Sequence, residues 1–226
     1  MTNYDPKCIA DIVFPSERAE LLIQSIISGA RPFPQSGKNG ILLYGVVGTG
    51  KTTLARLLPD AIEANKSGLA SDYTFERVQK GNDATTLLNR IAYEAQLMPL
   101  ASHRYFVLDE VDNLTPDTMK SLKSVMNISG PIFVLTTNNL NKIEKGVQDR
   151  CHLVAFNAAP DAAWLPLVRR VVAESGVPVP TDQHLLGVLA KNDGSVRGIV
   201  DRAMEIVVSF RRQQPVAPAP LLNAAD

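Results

Sequence analysis

The sequence predicts an α/β protein in which a five-stranded parallel sheet carries helices on both faces and a small helical domain follows. Short apolar segments alternate with helical patterns through residues 1–157 of the 226-residue chain, and only helical patterns continue to residue 212. Strands that alternate with helices of this length form βαβ units, whose parallel sheet is buried on both faces. We expect an α/β domain at 1–157, a helical domain at 158–212 and a flexible Pro/Ala-rich tail at 213–226.

Each strand is predicted from a short apolar segment. The first, Ile41-Leu42-Leu43-Tyr44, is apolar without interruption between Gly40 and Gly45, as expected of a strand that is buried on both faces. The other four strands are predicted at 73–78, 105–109, 132–136 and 153–156.

Each helix is predicted from apolar residues at spacings of three and four. In the first helix, Leu54, Leu57, Leu58 and Ile62 share one face, and Pro59 is expected to kink or end the helix. Further helices are predicted at 84–97, 116–126, near 141–147, and at 161–174, 181–190 and 195–212.

Composition and charge exclude several classes of protein. With 45% hydrophobic and 20% charged residues the chain can bury a core, which argues against a disordered protein. Its 23 basic residues balance 23 acidic ones, so any contact with nucleic acid must come from a local patch. Cys8 and Cys151 form no C-x-x-C pair, which argues against a disulfide framework and a zinc site. With no signal pattern or membrane span in the sequence, we expect a cytoplasmic protein without a membrane partner.

A phosphate-binding motif connects the first predicted strand to the first predicted helix. Residues 45–52, Gly-Val-Val-Gly-Thr-Gly-Lys-Thr, match the P-loop pattern G-x-x-x-x-G-K-[ST]. The glycines let successive backbone N–H groups face phosphates, Lys51 reaches the β and γ oxygens, and Thr52 places its hydroxyl on Mg²⁺. This context disfavours the alternative, a glycine-rich turn with an unrelated lysine, and predicts a site for a phosphate chain and magnesium.

Polar residues follow two other strands. Asp109 and Glu110 end the strand at 105–109, and the carboxyl ends of parallel strands are where such sheets bind ligands. Asp109 would hold Mg²⁺ through water, and Glu110 would polarise an attacking water; the alternative is a solvated strand end. Asn138 follows the strand at 132–136 and would orient the same water, although asparagine is also an ordinary turn residue.

Two arginines carry no signal by themselves. Arg150 precedes the last predicted strand, and Arg197 lies near the start of a helix in the helical domain. Isolated arginines mostly lie at the surface with solvated heads, so the residues alone predict two surface arginines.

In order and spacing, these motifs resemble AAA+ ATPases of the P-loop NTPase class. Within that class they are most similar to the small-subunit type of DNA polymerase clamp loader, represented by replication factor C and its phage equivalents. The resemblance covers roughly residues 4–212. It rests on residues 45–52, 108–112, 135–138, 148–151 and 194–197, with softer matches at 4–6, 11–13 and 114–126.

The resemblance implies a role for each candidate residue in an ATPase with a helical lid domain. Glu110 and Asn138 (sensor 1) would act in hydrolysis, Arg150 would be an arginine finger on a neighbour's ATP, and Arg197 would be sensor 2. Thr52 and Asp109 would hold Mg²⁺. The implied ATP-binding residues are Gly45, Val46, Val47, Gly48, Thr49, Gly50, Lys51, Thr52 and Thr53, with Ile12 and Val13 from the segment that covers the adenine.

The resemblance also implies partners. These are copies of the chain or related AAA+ subunits across the ATP interface, DNA, and a sliding clamp or a helicase. Lys80-Gly81-Asn82 and Arg90 fall where clamp-loader relatives face DNA, although a solvated helix face explains them equally well. The alternatives are a helicase loader or transposition-type regulator that uses ATP as an assembly switch, and a viral superfamily 3 helicase. The segment at 194–197 favours AAA+ over the helicase.

The sequence departs from the clamp-loader pattern at three places. Asp149 replaces the serine of the Ser-Arg-Cys finger motif. The helix at 116–126 reads Met119-Lys120 and Lys123-Ser124 where relatives carry a glutamine pair and an arginine pair. The residues after Arg212 are too few for the collar domain of clamp loaders, so any assembly is expected to occur through the ATP interfaces alone or through partners.

Overall fold

The structure, a computed structural model, describes residues 4–79, 84–190 and 194–213. The chain divides into two compact units, Met1–Pro160 and Asp161–Asp226. In the first unit, five parallel strands form a sheet: β1 (Gly40–Tyr44), β2 (Asp72–Arg77), β3 (Arg104–Asp109), β4 (Ile132–Thr137) and β5 (Cys151–Ala155). Their order across the sheet is β2-β3-β4-β1-β5. The predicted five-stranded parallel fold is confirmed.

Helices cover both faces of the sheet. They are α1 (Glu17–Ile27), α2 (Lys51–Lys66), α3 (Ala84–Glu94), α4 (Pro116–Val125) and α5 (Lys145–Asp149), with short 3-10 helices at Ile9–Asp11, Val111–Asn113 and Leu140–Lys142. Because successive strand residues point to opposite faces, Ile41 and Leu43 pack with residues of α1 and α2, whereas Leu42 packs with residues of α3, α4 and α5. Two apolar cores therefore hold the sheet, one on each face.

Helix α1 was not among the predicted helices. Its first turn is capped by Ser16, whose hydroxyl accepts a hydrogen bond of 3.3 Å from the backbone N–H of Ala19. The buried residues Ala19, Ile23 and Ile26 recur at spacings of four and three, which places them on one face against the sheet. The cap and the spacing were both present in the sequence.

Helix α2 contains Pro59, which was expected to kink or end it. The helix does not end there but continues to Lys66. Proline has no N–H, so the bond to the carbonyl four residues earlier is missing. Pro59 is nevertheless buried beside Leu58, and the packing of this side of α2 offsets the lost hydrogen bond.

The register of the sheet brings three strand ends to one edge. Tyr44 of β1 pairs with Thr137 of β4, and Leu108 of β3 pairs with Leu135. The residues that follow β1, β3 and β4 therefore emerge side by side at the carboxyl edge of the sheet, where the candidate site is built.

The second unit is helical. Its described elements are a 3-10 helix at Asp161–Trp164 and the helices α6 (Leu165–Glu174), α7 (Asp182–Leu189) and α8 (Val196–Gln213). Helices α6, α7 and α8 pack on one another through buried residues such as Val172, Leu185 and Ile199. Across 4–79, 84–190 and 194–213, none of the helices has the length and apolar character needed to cross a membrane.

Candidate nucleotide-binding site

The loop between β1 and α2 is glycine-rich because its backbone leaves no room for other residues. A Cβ atom on Gly45 would lie 2.6 Å from the carbonyl oxygen of Phe156, well inside contact distance. Gly50, which caps the N-terminus of α2, has φ 94°, a conformation that side chains disfavour. The loop thus turns sharply out of the sheet and delivers the first amides of a 16-residue helix to the same edge.

Hydrogen bonds attach this loop to the end of the sheet. The backbone N–H of Val46 donates to Oδ1 of Asn157 at 3.4 Å. The buried hydroxyl of Thr49 donates to the carbonyl of Phe156 at 2.7 Å, so this side chain fixes the loop instead of facing outward. Val46 and Val47 are exposed, so their contribution to the loop is its backbone.

Lys51 lies against the loop it follows. Its Nζ donates to the carbonyl oxygens of Gly45 at 2.9 Å and Val46 at 2.6 Å. Burial lowers the pKa of Lys51, while the carboxylates of Asp109, Asp112 and Glu110 act to raise it. The ammonium group is therefore bound to two backbone carbonyls at the start of the P-loop.

Asp109 is buried at the end of β3, and its carboxylate accepts three hydrogen bonds. Its Oδ1 accepts from the hydroxyl of Thr52 at 2.7 Å and from that of Thr136 at 2.6 Å. Its Oδ2 accepts from Nε of Arg77 at 3.0 Å, an ion pair in which the arginine side chain is 53% exposed. The P-loop threonine and the strand-end carboxylate, which were predicted as a pair of metal-site residues, are in direct contact.

Glu110 has a left-handed backbone, with φ 60° and ψ 46°. Such a conformation is uncommon for a residue other than glycine and persists where neighbours hold it. Here the N–H of Glu110 donates to the hydroxyl of Thr136 at 3.0 Å, and its Oε2 accepts from Nδ2 of Asn113 at 3.2 Å. The backbone turn separates the carboxylate of Glu110 from that of Asp109.

Asn138 directly follows β4 and is exposed beside the start of the P-loop, because its neighbour Thr137 pairs with Tyr44. The N–H of Asn138 donates to Oδ1 of Asp112 at 3.3 Å, and the hydroxyl of Thr137 donates to the same oxygen at 3.0 Å. Asp112 therefore fixes the backbone that carries Asn138.

The N-terminal segment contacts the P-loop helix. The 3-10 helix Ile9–Asp11 packs against α2, and Ile12, which caps it, is half-buried against the same core. Val13 and, on α2, Thr53 are half-buried. Their predicted contact with the nucleotide stays a prediction.

Arg150 lies far from the P-loop of its own chain. Its carbonyl accepts hydrogen bonds from the N–H groups of Asn39 at 3.1 Å and Gly40 at 3.0 Å, at the start of β1. The P-loop begins at Gly45, five residues later, which is about 16 Å along an extended strand. Arg197 is exposed in the first turn of α8, in the second unit.

Arg90, one of the basic residues suggested for DNA contact, is ion-paired within its own chain. Arg90 forms ion pairs with Glu76 and with Glu94, the latter at 3.8 Å, so its charge is matched by two carboxylates. The segment 80–82 lies outside the described residues.

Three residues that sequence reasoning missed complete the site. Arg77 pairs with Asp109, Thr136 bridges Asp109 and Glu110, and Asn157 holds the P-loop. Arg77 lies next to the end of the predicted strand 73–78, Thr136 ends the strand 132–136 and Asn157 follows the strand 153–156, which was the available signal. Their partners depend on the pairing of strands distant in sequence.

The donor set fits magnesium and a triphosphate. Mg²⁺ is commonly held by one or two carboxylates, a hydroxyl and the phosphates of a substrate. Thr52 and Asp109 provide the hydroxyl and the carboxylate, and the described part of the chain holds no cluster of three or more His, Cys, Asp or Glu residues that would bind a metal without phosphates.

Curated proteins with similar sequences include replication factor C subunits. Replication factor C small subunit 2 of Pyrobaculum islandicum is 26% identical over 220 residues, which is 93% of this chain and 64% of the relative. Replication factor C subunit 4 of Oryza sativa subsp. japonica is 31% identical over 222 residues, 92% of this chain and 61% of the relative. The chain thus spans about three fifths of the length of these relatives.

Solved structures share the fold. The Holliday junction branch migration motor RuvB of Thermotoga maritima superposes with a TM-score of 0.66 at 16% identity, over 91% of this chain and 67% of that one. PCH-2 of C. elegans superposes with a TM-score of 0.58 at 13% identity, over 93% and 73%. Residues 41–157, which contain the P-loop and both strand-end motifs, match the ATPase family associated with various cellular activities (AAA). The chain therefore belongs to the AAA family of ATPases.

Proposed function

We propose that the chain hydrolyses Mg·ATP at interfaces between copies of itself and that this cycle drives a clamp-loader-like assembly in DNA replication. The observation that carries the proposal is the position of Arg150. Its backbone is bonded to the start of β1, about 16 Å of strand away from the P-loop at the other end. An arginine there is suited to a neighbouring chain's nucleotide instead of its own.

Each candidate residue at the carboxyl edge of the sheet has one role in the proposed hydrolysis. The P-loop amides and Lys51 bind the phosphates, while Thr52 and Asp109 hold magnesium, which would supply positive charge to the phosphate oxygens. Glu110 accepts a proton from the attacking water, and the Asn138 amide orients that water.

An arginine from the neighbour would stabilise the charge that builds up on the transferred phosphoryl group. Such a contact can contribute about 10³- to 10⁵-fold in rate. We propose Arg150 for this role. Hydrolysis would then require assembly, because neither chain carries all the groups. Arg197, on the second unit, would sense the nucleotide from a helical lid domain.

The replication role rests on similarity to replication factor C subunits over most of this chain. DNA and a protein client such as a sliding clamp are the proposed partners. Because Arg90 is ion-paired within its own chain, contacts to the phosphate backbone of DNA would have to come from other groups.

The deciding experiment mixes two strongly impaired chains. Arg150→Ala keeps an intact P-loop but loses the arginine, whereas Glu110→Gln keeps the arginine and nucleotide binding but loses the base. In a random 1:1 mixture about a quarter of the head-to-tail interfaces join the intact P-loop to the intact Arg150. We expect ATP turnover to reappear in the mixture at about that fraction of wild type.

A second experiment measures the size of the assembly by sedimentation, at micromolar protein concentration with an ATP analogue and magnesium. We expect species larger than one chain, and a monomer for the Lys51→Ala variant. A wild-type chain that stays monomeric with the analogue, or mixtures that stay inactive, would refute hydrolysis across an interface. If primed DNA does not change ATP turnover, the replication role fails, but hydrolysis across an interface still stands.

A further inference from the structure

The guanidinium group of Arg150 is held in one orientation by its own chain. Its Nε and Nη2 atoms both donate to Oδ1 of Asn127, at 2.9 and 2.6 Å, and its Nη1 donates to the carbonyl of Gly146 at 2.7 Å. A guanidinium has five N–H groups in a fixed planar fork. Three are engaged here, and two remain for another acceptor.

The backbone around Asn127 is tied to the backbone of Arg150. Nδ2 of Asn39 donates to the carbonyl of Met126, the residue before Asn127, at 2.9 Å. The N–H of the same Asn39 donates to the carbonyl of Arg150 at 3.1 Å. Asn39 thereby connects the end of α4 to the residue that follows α5, so the Asn127 amide and the Arg150 side chain have a fixed spacing.

Helices α4 and α5 are also joined beside this contact. Nζ of Lys123 pairs with Oε1 of Glu144 at 2.5 Å. The Lys123 side chain passes so close to Gly146 that a Cβ there would lie 2.4 Å from Cδ of Lys123. The carbonyl of Gly146, which is the second acceptor for Arg150, is therefore placed by the packing of these two helices.

We propose that Asn127 is a positioning residue for Arg150, and that it presents the two remaining N–H groups to the nucleotide of the neighbouring chain. This inference rests on the proposed function of Arg150. A free arginine side chain samples many rotamers, and its capture by Asn127 and Gly146 lowers the entropy lost when it meets the phosphate. Asn127 is exposed, so a substitution there does not disturb either apolar core.

The test compares Asn127→Leu, which removes the acceptor at similar volume, with Asn127→Asp, which keeps it. Ser129→Ala, a change at an exposed site two residues away, is the matched control. We expect Asn127→Leu to lower the kcat for ATP by roughly tenfold to a hundredfold, as for a misplaced reacting group. The KM should stay unchanged because the variant's own P-loop is intact. Asn127→Asp and Ser129→Ala should keep most of the turnover, and Asn127→Ala should repeat the loss.

A double variant separates positioning from a general structural effect. Measured on the residual turnover of Arg150→Ala at high chain concentration, Asn127→Leu should cause no further loss, because the side chain it positions is absent. Adding the Glu110→Gln chain, which supplies a well-placed arginine, should restore turnover to the Asn127→Leu chain.

Three outcomes would overturn the positioning role. They are wild-type kcat in Asn127→Leu, a kcat above wild type, and additive losses in the double variant. If any of them occurs while Arg150→Ala is strongly impaired, the positioning role fails and the proposed function stands. If Arg150→Ala keeps full turnover, the proposed function itself fails.

Discussion

The hydroxyl of Thr52 lies 2.7 Å from Oδ1 of Asp109, although 57 residues separate them in sequence. The contact joins the first turn of α2 to the end of β3 and places two oxygen ligands side by side. Thr136 donates to the same carboxylate oxygen, so Asp109 is held in place from two elements.

Removing the hydroxyl of Thr52 should weaken metal-dependent nucleotide binding. We expect Thr52→Val to lower ATP affinity roughly tenfold to hundredfold in the presence of magnesium, which is the range for a hydrogen bond to a charged group. Without magnesium the loss should be smaller. Calorimetry with and without the metal measures both values, and Ser121→Ala on the exposed side of α4 is the control. Equal losses in the two conditions would contradict a metal role.

The ion pair between Arg77 and Asp109 places a positive charge beside the proposed magnesium site. Because like charges repel, Arg77→Leu should lower the magnesium concentration needed for half-maximal turnover. The shift should be at most about fivefold, since an ion pair with an exposed partner is worth about 1 kcal/mol or less. A magnesium titration of ATP turnover measures the shift. A higher magnesium requirement in the variant would mean that Arg77 chiefly orients the carboxylate.

Thr136 supports both acids of the site. Thr136→Val leaves the N–H of Glu110 without its acceptor in a part-buried position. The free energy of unfolding should fall by about 1–3 kcal/mol, the cost of such an unpaired group, and turnover should fall as well. Urea unfolding checks the first effect, with Thr74→Val on β2 as the control hydroxyl loss. Unchanged stability would show that water replaces the hydroxyl.

Glu110 is assigned to the chemical step alone. Glu110→Gln should retain ATP affinity and reduce turnover by about 10²- to 10⁴-fold, the contribution typical of a positioned base. Glu174→Gln, at an exposed position on α6, should change neither quantity. Binding isotherms and steady-state turnover provide the two values. A parallel loss of affinity would identify Glu110 as a structural residue of the left-handed turn.

Glu63 makes the free energy of unfolding depend on pH in the acidic range. Burial raises the pKa of this carboxyl, but hydrogen bonds from Ser102, Ser67 and Tyr105 outweigh burial and lower the pKa from 4.5 to about 2. The contribution of the ionised Glu63 carboxylate to the free energy of unfolding is therefore complete above about pH 5 and is lost as pH falls from 4.5 toward 2. It corresponds to about 3 kcal/mol.

Glu63→Gln tests this linkage. The variant should be less stable than wild type at pH 7, and the difference should shrink at pH 3. Urea midpoints at the two pH values measure it, and Glu174→Gln should show no such convergence. A constant difference would mean that Glu63 contributes by packing alone.

The sheet and the P-loop could be predicted from the sequence because their signals are local. Uninterrupted apolar segments such as 41–44 mark strands, and the glycine spacing at 45–52 requires a phosphate-type loop. The contact between Asp109 and the P-loop followed from a general rule about the carboxyl ends of parallel strands.

Other features depend on tertiary context. The pairing of Arg77 with Asp109 follows from the β2–β3 register, which no local pattern reveals. The contact of Asn127 with Arg150 joins residues that follow two different helices. The continuation of α2 past Pro59 to Lys66 also depends on burial, which offsets a single lost hydrogen bond. Helix α1 was not predicted, although the capping residue Ser16 and the spacing of the apolar residues indicate a helix there.

The distance between Arg150 and the P-loop of its own chain has a stoichiometric consequence. Each chain would contribute half of one catalytic centre and half of the next, so an open row always holds one centre fewer than its number of chains. Closing the row into a circle would add that last centre. Turnover per chain should then rise with oligomer size and reach its ceiling only when the two ends meet.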